Sequence, residues 1–207
     1  MKTTGLLGHG FTQLFMNDPF ATLGIARAFD VDLKAIERTH RDLSRALHPD
    51  RYAGGGASER RDALGKAVEV NEAWRVVRDP IRRAEALFTL AGVPIGEKSE
   101  PKPSGAFLMD MLEQREALAE AKAARDTEAV HALAGAIEGR LHAAETALGE
   151  GFVRGNVAAD DGRAADVSAL AKLVGRLGEL RFYRRFLDEV SAIEDEMENG
   201  AHASRDL

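Results

Sequence analysis

Leu47-His48-Pro49-Asp50-Arg51 stands between two amphipathic helix patterns and is followed by a glycine run, Gly54-Gly55-Gly56. Proline has no backbone N–H to donate and biases the residue before it away from helical dihedrals. The first helix is therefore expected to end at His48-Pro49, where a tight exposed loop begins. On its own, His-Pro-Asp reads as a turn, since proline and aspartate are common turn residues. The flanking segments change that reading.

Upstream, a helix is predicted over residues 32–47, with Asp32 as its cap. Leu33, Ile36, His40, Leu43 and Leu47 recur at spacings of three and four and share one face. His40, inside that stripe, is expected to be a core histidine with a satisfied hydrogen bond. Lys34, Arg38, Arg41 and Arg45 keep the same rhythm on a neighbouring face. Such a charged stripe is ordinarily a solvated surface, but this one runs into the His-Pro-Asp loop. Downstream, a helix is predicted over residues 58–78 with Leu64, Ala67, Asn71, Trp74 and Val77 inward. Gly65 weakens it by up to ~1 kcal/mol relative to alanine.

Farther out, Asp18-Pro19 reads as a helix start, and the short helix that follows carries Phe20, Leu23 and Ile25. Residues 1–17 show no sustained period and are expected to be a loose extension. Asp79-Pro80 stops and restarts the helix, a further piece covers residues 82–90, and Gly92 closes it. Residues 93–105 contain Pro101 and Pro103 in a polar stretch and read as a linker between domains. Beyond it three helices are expected, over residues 106–124, 127–149 and 164–198, forming an antiparallel bundle. A loop is expected over 149–162 and a disordered tail over 199–207. No strand-like alternation occurs, so the fold class is all-α. The expected domains are residues 18–92 and 106–198.

Net charge is −6 and uneven: residues 18–92 carry 13 basic and 12 acidic side chains, residues 93–207 carry 14 and 22. The absence of a basic surplus argues against a nucleic-acid partner. There are no cysteines, which excludes disulfides and thiolate metal sites and fits a reducing compartment. No apolar run approaches the ~20 residues needed to span a bilayer, and the N-terminus does not read as a signal peptide. A cytoplasmic location without membrane contact is expected.

The helix with a basic face, the His-Pro-Asp loop and the helix containing Asn71-x-Ala73-Trp74-x-x-Val77-x-Asp79-Pro80 together resemble a J domain. J domains belong to co-chaperones that stimulate the ATPase of DnaK-type chaperones. Arg83-Ala84-Glu85-x-Leu87 and the segment from Phe107 to Leu118, Phe107-Leu108-Met109-Asp110-Met111-Leu112-Glu113-x-Arg115-Glu116-x-Leu118, further resemble the HscB family of iron–sulfur cluster assembly co-chaperones. The combined resemblance covers nearly all of residues 18–198. It implies an ATPase partner of the HscA type and the scaffold protein IscU as client. By resemblance, Lys34, Arg38, Arg41, Arg45, His48, Pro49 and Asp50 contact the ATPase. Leu108, Met109, Leu112, Glu113, Glu116, Glu120 and Phe182 contact the scaffold.

Physical chemistry accompanies each role. The basic face can attract an acidic patch and raise the encounter rate. Pro49 sets the loop shape, and Asp50 can make charge-assisted hydrogen bonds to a partner arginine. Spacing alone also allows the apolar residues of 108–120 to be core and the glutamates a solvated edge. Phe182, off the inward stripe with Phe186 one turn on, is expected to be an exposed anchor. Departures are plain too. Eukaryotic relatives often carry paired Cys-x-x-Cys zinc motifs, so a bacterial-type chain without zinc is expected here. His40 occupies a position that is usually aromatic or aliphatic.

No cofactor and no catalysis are expected. His9, His40, His48, His131, His142 and His202 form no His-x-x-x-His pair, and no phosphate-binding glycine loop or Gly-x-Ser-x-Gly elbow is present. Two alternatives stay open: a J-protein with another client, and a helical adaptor in which His-Pro-Asp is only a turn.

Overall fold

The computed structural model describes residues 18–52, 54, 56–96, 103–157 and 164–203. The expected N-terminal extension, most of the linker's proline stretch and the last four residues lie outside them. The described residues are helical, without strands, and form two compact units.

The first unit contains α1 (Pro19–Thr22), α2 (Leu33–Ala46), a 3-10 turn (Pro49–Tyr52), α3 (Ala57–Arg78) and α4 (Pro80–Leu90). Aspartates set three of the helix starts. Asp18, Asp32 and Asp79 accept hydrogen bonds from the first free N–H groups of α1, α2 and α4 at 2.9–3.3 Å. Pro19 and Pro80 sit in the first turn, where no N–H is required. At the end of α4, Gly92 is left-handed (φ +76°). Its N–H reaches Thr89 O and that of Val93 reaches Phe88 O, a Schellman closure that packs Val93 near Phe88.

α1, α2, α4 and the 3-10 turn all pack on α3. Its inward face differs from the sequence expectation by one position. Ala63, Val70, Ala73, Val76 and Val77 are buried, whereas Leu64 and Asn71 are exposed and Ala67 and Trp74 only half-buried. Small residues face the core because α1 and α2 approach closely there, leaving the bulkier Leu64 on the outer side. Of the α2 stripe only Ile36 is fully buried, and Leu33 is exposed.

The unit also recruits residues 151–171. These were expected partly as a loop and partly as the start of the last bundle helix. Instead α6 (Thr127–Arg154) runs straight through Gly149 and Gly151. The reason is Phe152, which stacks on Phe29 (5.8 Å between centroids) and tilts against Phe88 (4.8 Å). Burying a phenylalanine outweighs the ~1 kcal/mol cost of each helical glycine. After α6 the chain turns on Asn156 (φ +55°), and the short α7 (Val167–Ala171) places Leu170 against Gly155. A Cβ at position 155 would run into the Leu170 side chain, so this close approach needs glycine.

The second unit comprises α5 (Gly105–Ala124), α6 as far as Glu150 and α8 (Val174–Ala203). Ser104 caps α5, and Asp126 caps α6 after a turn in which Arg125 is left-handed. Ion pairs give the register. Arg115–Glu189 (3.4 Å) and Lys122–Glu196 (2.7 Å) advance together, so α5 and α8 run parallel, with α6 antiparallel between them in sequence. Met111, Leu118, Val130, Ile137, Leu148, Leu177, Leu180, Phe186 and Val190 fill the core. The expected last helix of 164–198 is therefore two helices, interrupted at Lys172-Leu173. α8 continues through Gly200 to Ala203, where a disordered tail was expected.

Candidate interaction surfaces

His48, Pro49 and Asp50 are all exposed at the end of α2, and the Asp50 side chain is 90% accessible. The loop is held by its own backbone, with Arg51 N–H donating to His48 O at 3.0 Å. Asp50 N–H donates to His48 Nδ1 at 3.3 Å, and the Asp50 carboxylate lies 3.5 Å from the same nitrogen. One nitrogen cannot serve both. Neutral His48 with its proton on Nε2 accepts from the backbone, whereas protonated His48 pairs with the carboxylate. Either way both side chains stay largely exposed, His48 at 59% and Asp50 at 90%. Tyr52 anchors the far side of the loop by donating to Ala46 O at 3.3 Å, which satisfies a carbonyl of the last turn of α2. That support, set by the fold of the loop back onto the helix, is not visible in the motif itself.

Lys34, Arg38, Arg41 and Arg45 are exposed along α2, and the first and last lie about 16 Å apart at helical rise. Arg41 pairs with Glu37 (2.5 Å) and Arg45 with Asp42 (3.4 Å). Among the described residues Lys34 and Arg38 have no ion-pair partner. Behind this face His40 is half-buried, stacked on Trp74 (5.4 Å, 17°) with Nε2 2.9 Å from Asn71 Oδ1. The aromatic character usual at this position is thus supplied by the imidazole, which also ties α2 to α3.

The second surface lies on α5. Leu108 (44% accessible), Met109 (58%) and Leu112 (50%) are exposed, as are Glu113, Glu116 and Glu120. The opposite side of the helix is firmly seated: Met111 and Leu118 are buried, and Asp110 pairs with Arg140 of α6. Phe107 meets Phe182 (5.5 Å) and Tyr183 (5.8 Å) edge to face, which joins Phe182 to α5. Phe182 is half-buried rather than exposed, with the Arg185 guanidinium 4.6 Å over its ring. Phe186, one turn on, is in the core. Burial and the nearby Glu179 carboxylate push the Tyr183 phenol above its ordinary value of 10.0.

Arg83 belongs to the core of the first unit. It is buried, donates to Val77 O at 2.6 Å and lies 4.9 Å over the Phe29 ring. No cluster of three or more metal-ligating side chains occurs among the described residues. None of the described helices is long and apolar enough to cross a membrane.

Comparison with known proteins matches this architecture. A co-chaperone protein HscB homolog from Paraburkholderia phymatum is 35% identical over 119 residues, spanning 57% of this chain and 68% of that protein. One from Ralstonia nicotianae is 39% identical over 124 residues, spanning 60% and 70%. The chain belongs to the HscB co-chaperone family. Residues 104–191 match the family model of the HSCB C-terminal oligomerisation domain. Two HscB structures share the fold. The chaperone HscB from Vibrio cholerae has a TM-score of 0.72 at 24% identity, covering 87% of this chain and 99% of its own. The human co-chaperone HscB gives 0.73 at 19%, covering 86% and 83%. The all-α organisation, a J domain followed by a helical C-terminal domain, is that of HscB.

Proposed function

We propose that this HscB-family chain couples an HscA-type ATPase to the scaffold protein IscU in the cytoplasm. In this reading the first unit is the J domain. Lys34, Arg38, Arg41 and Arg45 draw in an acidic patch of the ATPase, and His48, Pro49 and Asp50 stimulate its hydrolysis of ATP. Leu108, Met109, Leu112, Glu113, Glu116, Glu120 and Phe182 hold the scaffold. The chain itself catalyses nothing and carries no cofactor; the nucleotide chemistry belongs to the partner.

The observation that carries the proposal is the pairing of two exposed surfaces of opposite kind on one HscB-family chain. One is a polar loop with a basic approach, and the other is an apolar triplet with a carboxylate edge. Two polar groups presented at fixed geometry on a proline-set turn suit a contact that must form and release with each cycle of the partner. An apolar triplet seated on a packed helix suits a client that must stay bound until transfer.

Steady-state ATP hydrolysis by purified HscA tests the proposal. This chain and IscU together are expected to raise the rate more than the sum of their separate effects. An additive response, or none, would refute the coupling.

A further inference from the structure

Because α1, α2, α4 and the 3-10 turn pack on the inward side of α3, its outer side looks away from α2 and from the His48-Pro49-Asp50 loop. That outer side is patterned. Leu64 is 57% accessible and Val68 61%, four residues apart. At about 100° per residue Arg60, Arg61, Arg75 and Arg78 fall on the same third of the helix, and all four are exposed. The band runs about 27 Å from Arg60 to Arg78. At its far end α4 adds Arg82, and Arg75, Arg78, Asp79 and Arg82 line a cleft of about 400 Å³. The carboxylates in the band are already engaged. Glu72, half-buried, holds Arg75 at 3.4 Å and Arg82 at 4.0 Å, and Asp79 accepts from the N–H groups of Ile81 and Arg82. The band thus keeps a surplus of positive charge in a chain whose net charge is −6.

We propose that this band docks an acidic amphipathic helix of another protein. Charge, shape and width choose that occupant. An apolar pair between arginine groups is complementary to an apolar pair between carboxylates. A helix face has no free backbone donors or acceptors, and the described residues offer no strand edge. An extended segment laid there would leave its own backbone groups unpaired, whereas a helix satisfies its own and packs ridges into grooves. Asp62 and Glu69 stand exposed beside the band. A flat anionic surface such as a bilayer would bring its charge against them, but a helix about 10 Å across stays on the arginines.

The intervals along α3 specify the partner. It has acidic residues about 5–6 Å outside one apolar position, facing Arg60 and Arg61. It has an acidic cluster about 10–15 Å outside the other, facing Arg75, Arg78 and Arg82. A single helix pair buries less than the ~1,200 Å² of a standard interface, so the contact is weak and reversible. Its place on the far side of α3 leaves α2 and the loop open while the partner is held. The band serves this partner whether or not α2 meets an ATPase.

Calorimetry and amide chemical-shift mapping on the full chain test the docking. The probe is a synthetic, end-capped, alanine-based helix of about 22 residues, with two leucines four apart and glutamates at the intervals above. Binding is expected with a Kd of about 100 μM, with shifts over residues 60–82 and none over Lys34 to Arg45. Val68→Gln and Arg78→Glu should each weaken it at least about fivefold, with circular dichroism unchanged. The Arg78→Glu chain should regain affinity for a probe with lysine at the facing position. A probe of the same composition with its leucines on the opposite face should bind at least about fivefold more weakly. No binding below about 1 mM, equal binding of the two probes, or shifts on α2 would overturn the proposal. So would wild-type self-association in sedimentation velocity, or co-sedimentation with phosphatidylglycerol vesicles, that Val68→Gln abolishes, since a second copy or a bilayer would then be the occupant. Stimulation of HscA that Val68→Gln lowers would place the ATPase on the band and overturn a separate partner.

Discussion

The loop at His48-Pro49-Asp50 and the outer face of α5 are both exposed, but they are built in opposite ways. The loop offers charge and directed polar groups, held by a 3-10 turn, one tyrosine hydroxyl and its own backbone. The α5 face offers three large apolar side chains, held from behind by two edge-to-face aromatic contacts, a carboxylate–guanidinium pair and buried Met111 and Leu118. Charges steer encounter and fix orientation, while desolvated apolar anchors slow dissociation. The contrast teaches that the two surfaces suit contacts of different lifetime, and under the proposed function it is surface chemistry that separates signalling to the ATPase from retention of the client.

The sharpest way to break that separation is to remove the core support of one unit. Phe152→Ala empties the slot between Phe29 and Phe88 and should cost about 3–5 kcal/mol of the first unit's stability. Denaturant unfolding should show that loss with ATPase stimulation abolished, while calorimetry still finds the scaffold bound. Loss of both functions together would collapse the comparison.

Asp50→Asn comes next. It removes a charge from a side chain that is 90% accessible, so the fold is unaffected. Losing charge-assisted hydrogen bonds should cut ATPase stimulation by about 10–100-fold in steady-state turnover. Unchanged stimulation would reduce the loop to a turn. Leu112→Ala should weaken scaffold binding about tenfold in calorimetry with stimulation intact; an unaltered affinity would move the client elsewhere. Salt gives a smaller and more selective effect. Raising ionic strength should slow association with the ATPase about fivefold in stopped-flow measurements, while scaffold affinity changes much less.

The smallest effect concerns pH. The Tyr183 phenol is held above its ordinary value of 10.0 by burial, so the fold favours its uncharged form. Its stabilising contribution is complete below that unfolded-state value and is lost as pH rises through the higher folded-state value. Tyr183→Phe should therefore flatten the alkaline loss of stability above about pH 10, read by thermal melts.

How much was legible in the sequence depended on range. Asp18 and Asp32 marked helix starts, and Asp79-Pro80 a restart, because capping chemistry is local. The exposure of Lys34, Arg38, Arg41 and Arg45 on α2 was legible from their charge, whereas spacing left Leu108, Met109 and Leu112 on α5 open between core and surface and only the family resemblance favoured the surface. The inward face of α3 was not, because Leu64 and Val68 are more hydrophobic than Ala63 and Ala73, and size complementarity rather than hydrophobicity chose the face. Gly149 and Gly151 looked like a helix end, and nothing near them indicates that Phe152 has partners at positions 29 and 88. Tyr52, Arg140 and Arg185, which steady the two surfaces, act through contacts that folding alone creates.

The Phe29–Phe152–Phe88 cluster also has a consequence during synthesis. A J domain ending near residue 95 could fold as soon as it left the ribosome, but this one is discontinuous and completes its core only with residues 151–171. At about 5–20 residues per second, the tunnel must deliver that segment for roughly 4–15 s after residue 95 has been made. Throughout that interval two phenylalanines lack their cover on the nascent chain. Until residues 151–171 have been delivered, this helper of a chaperone system is itself a candidate for chaperone protection.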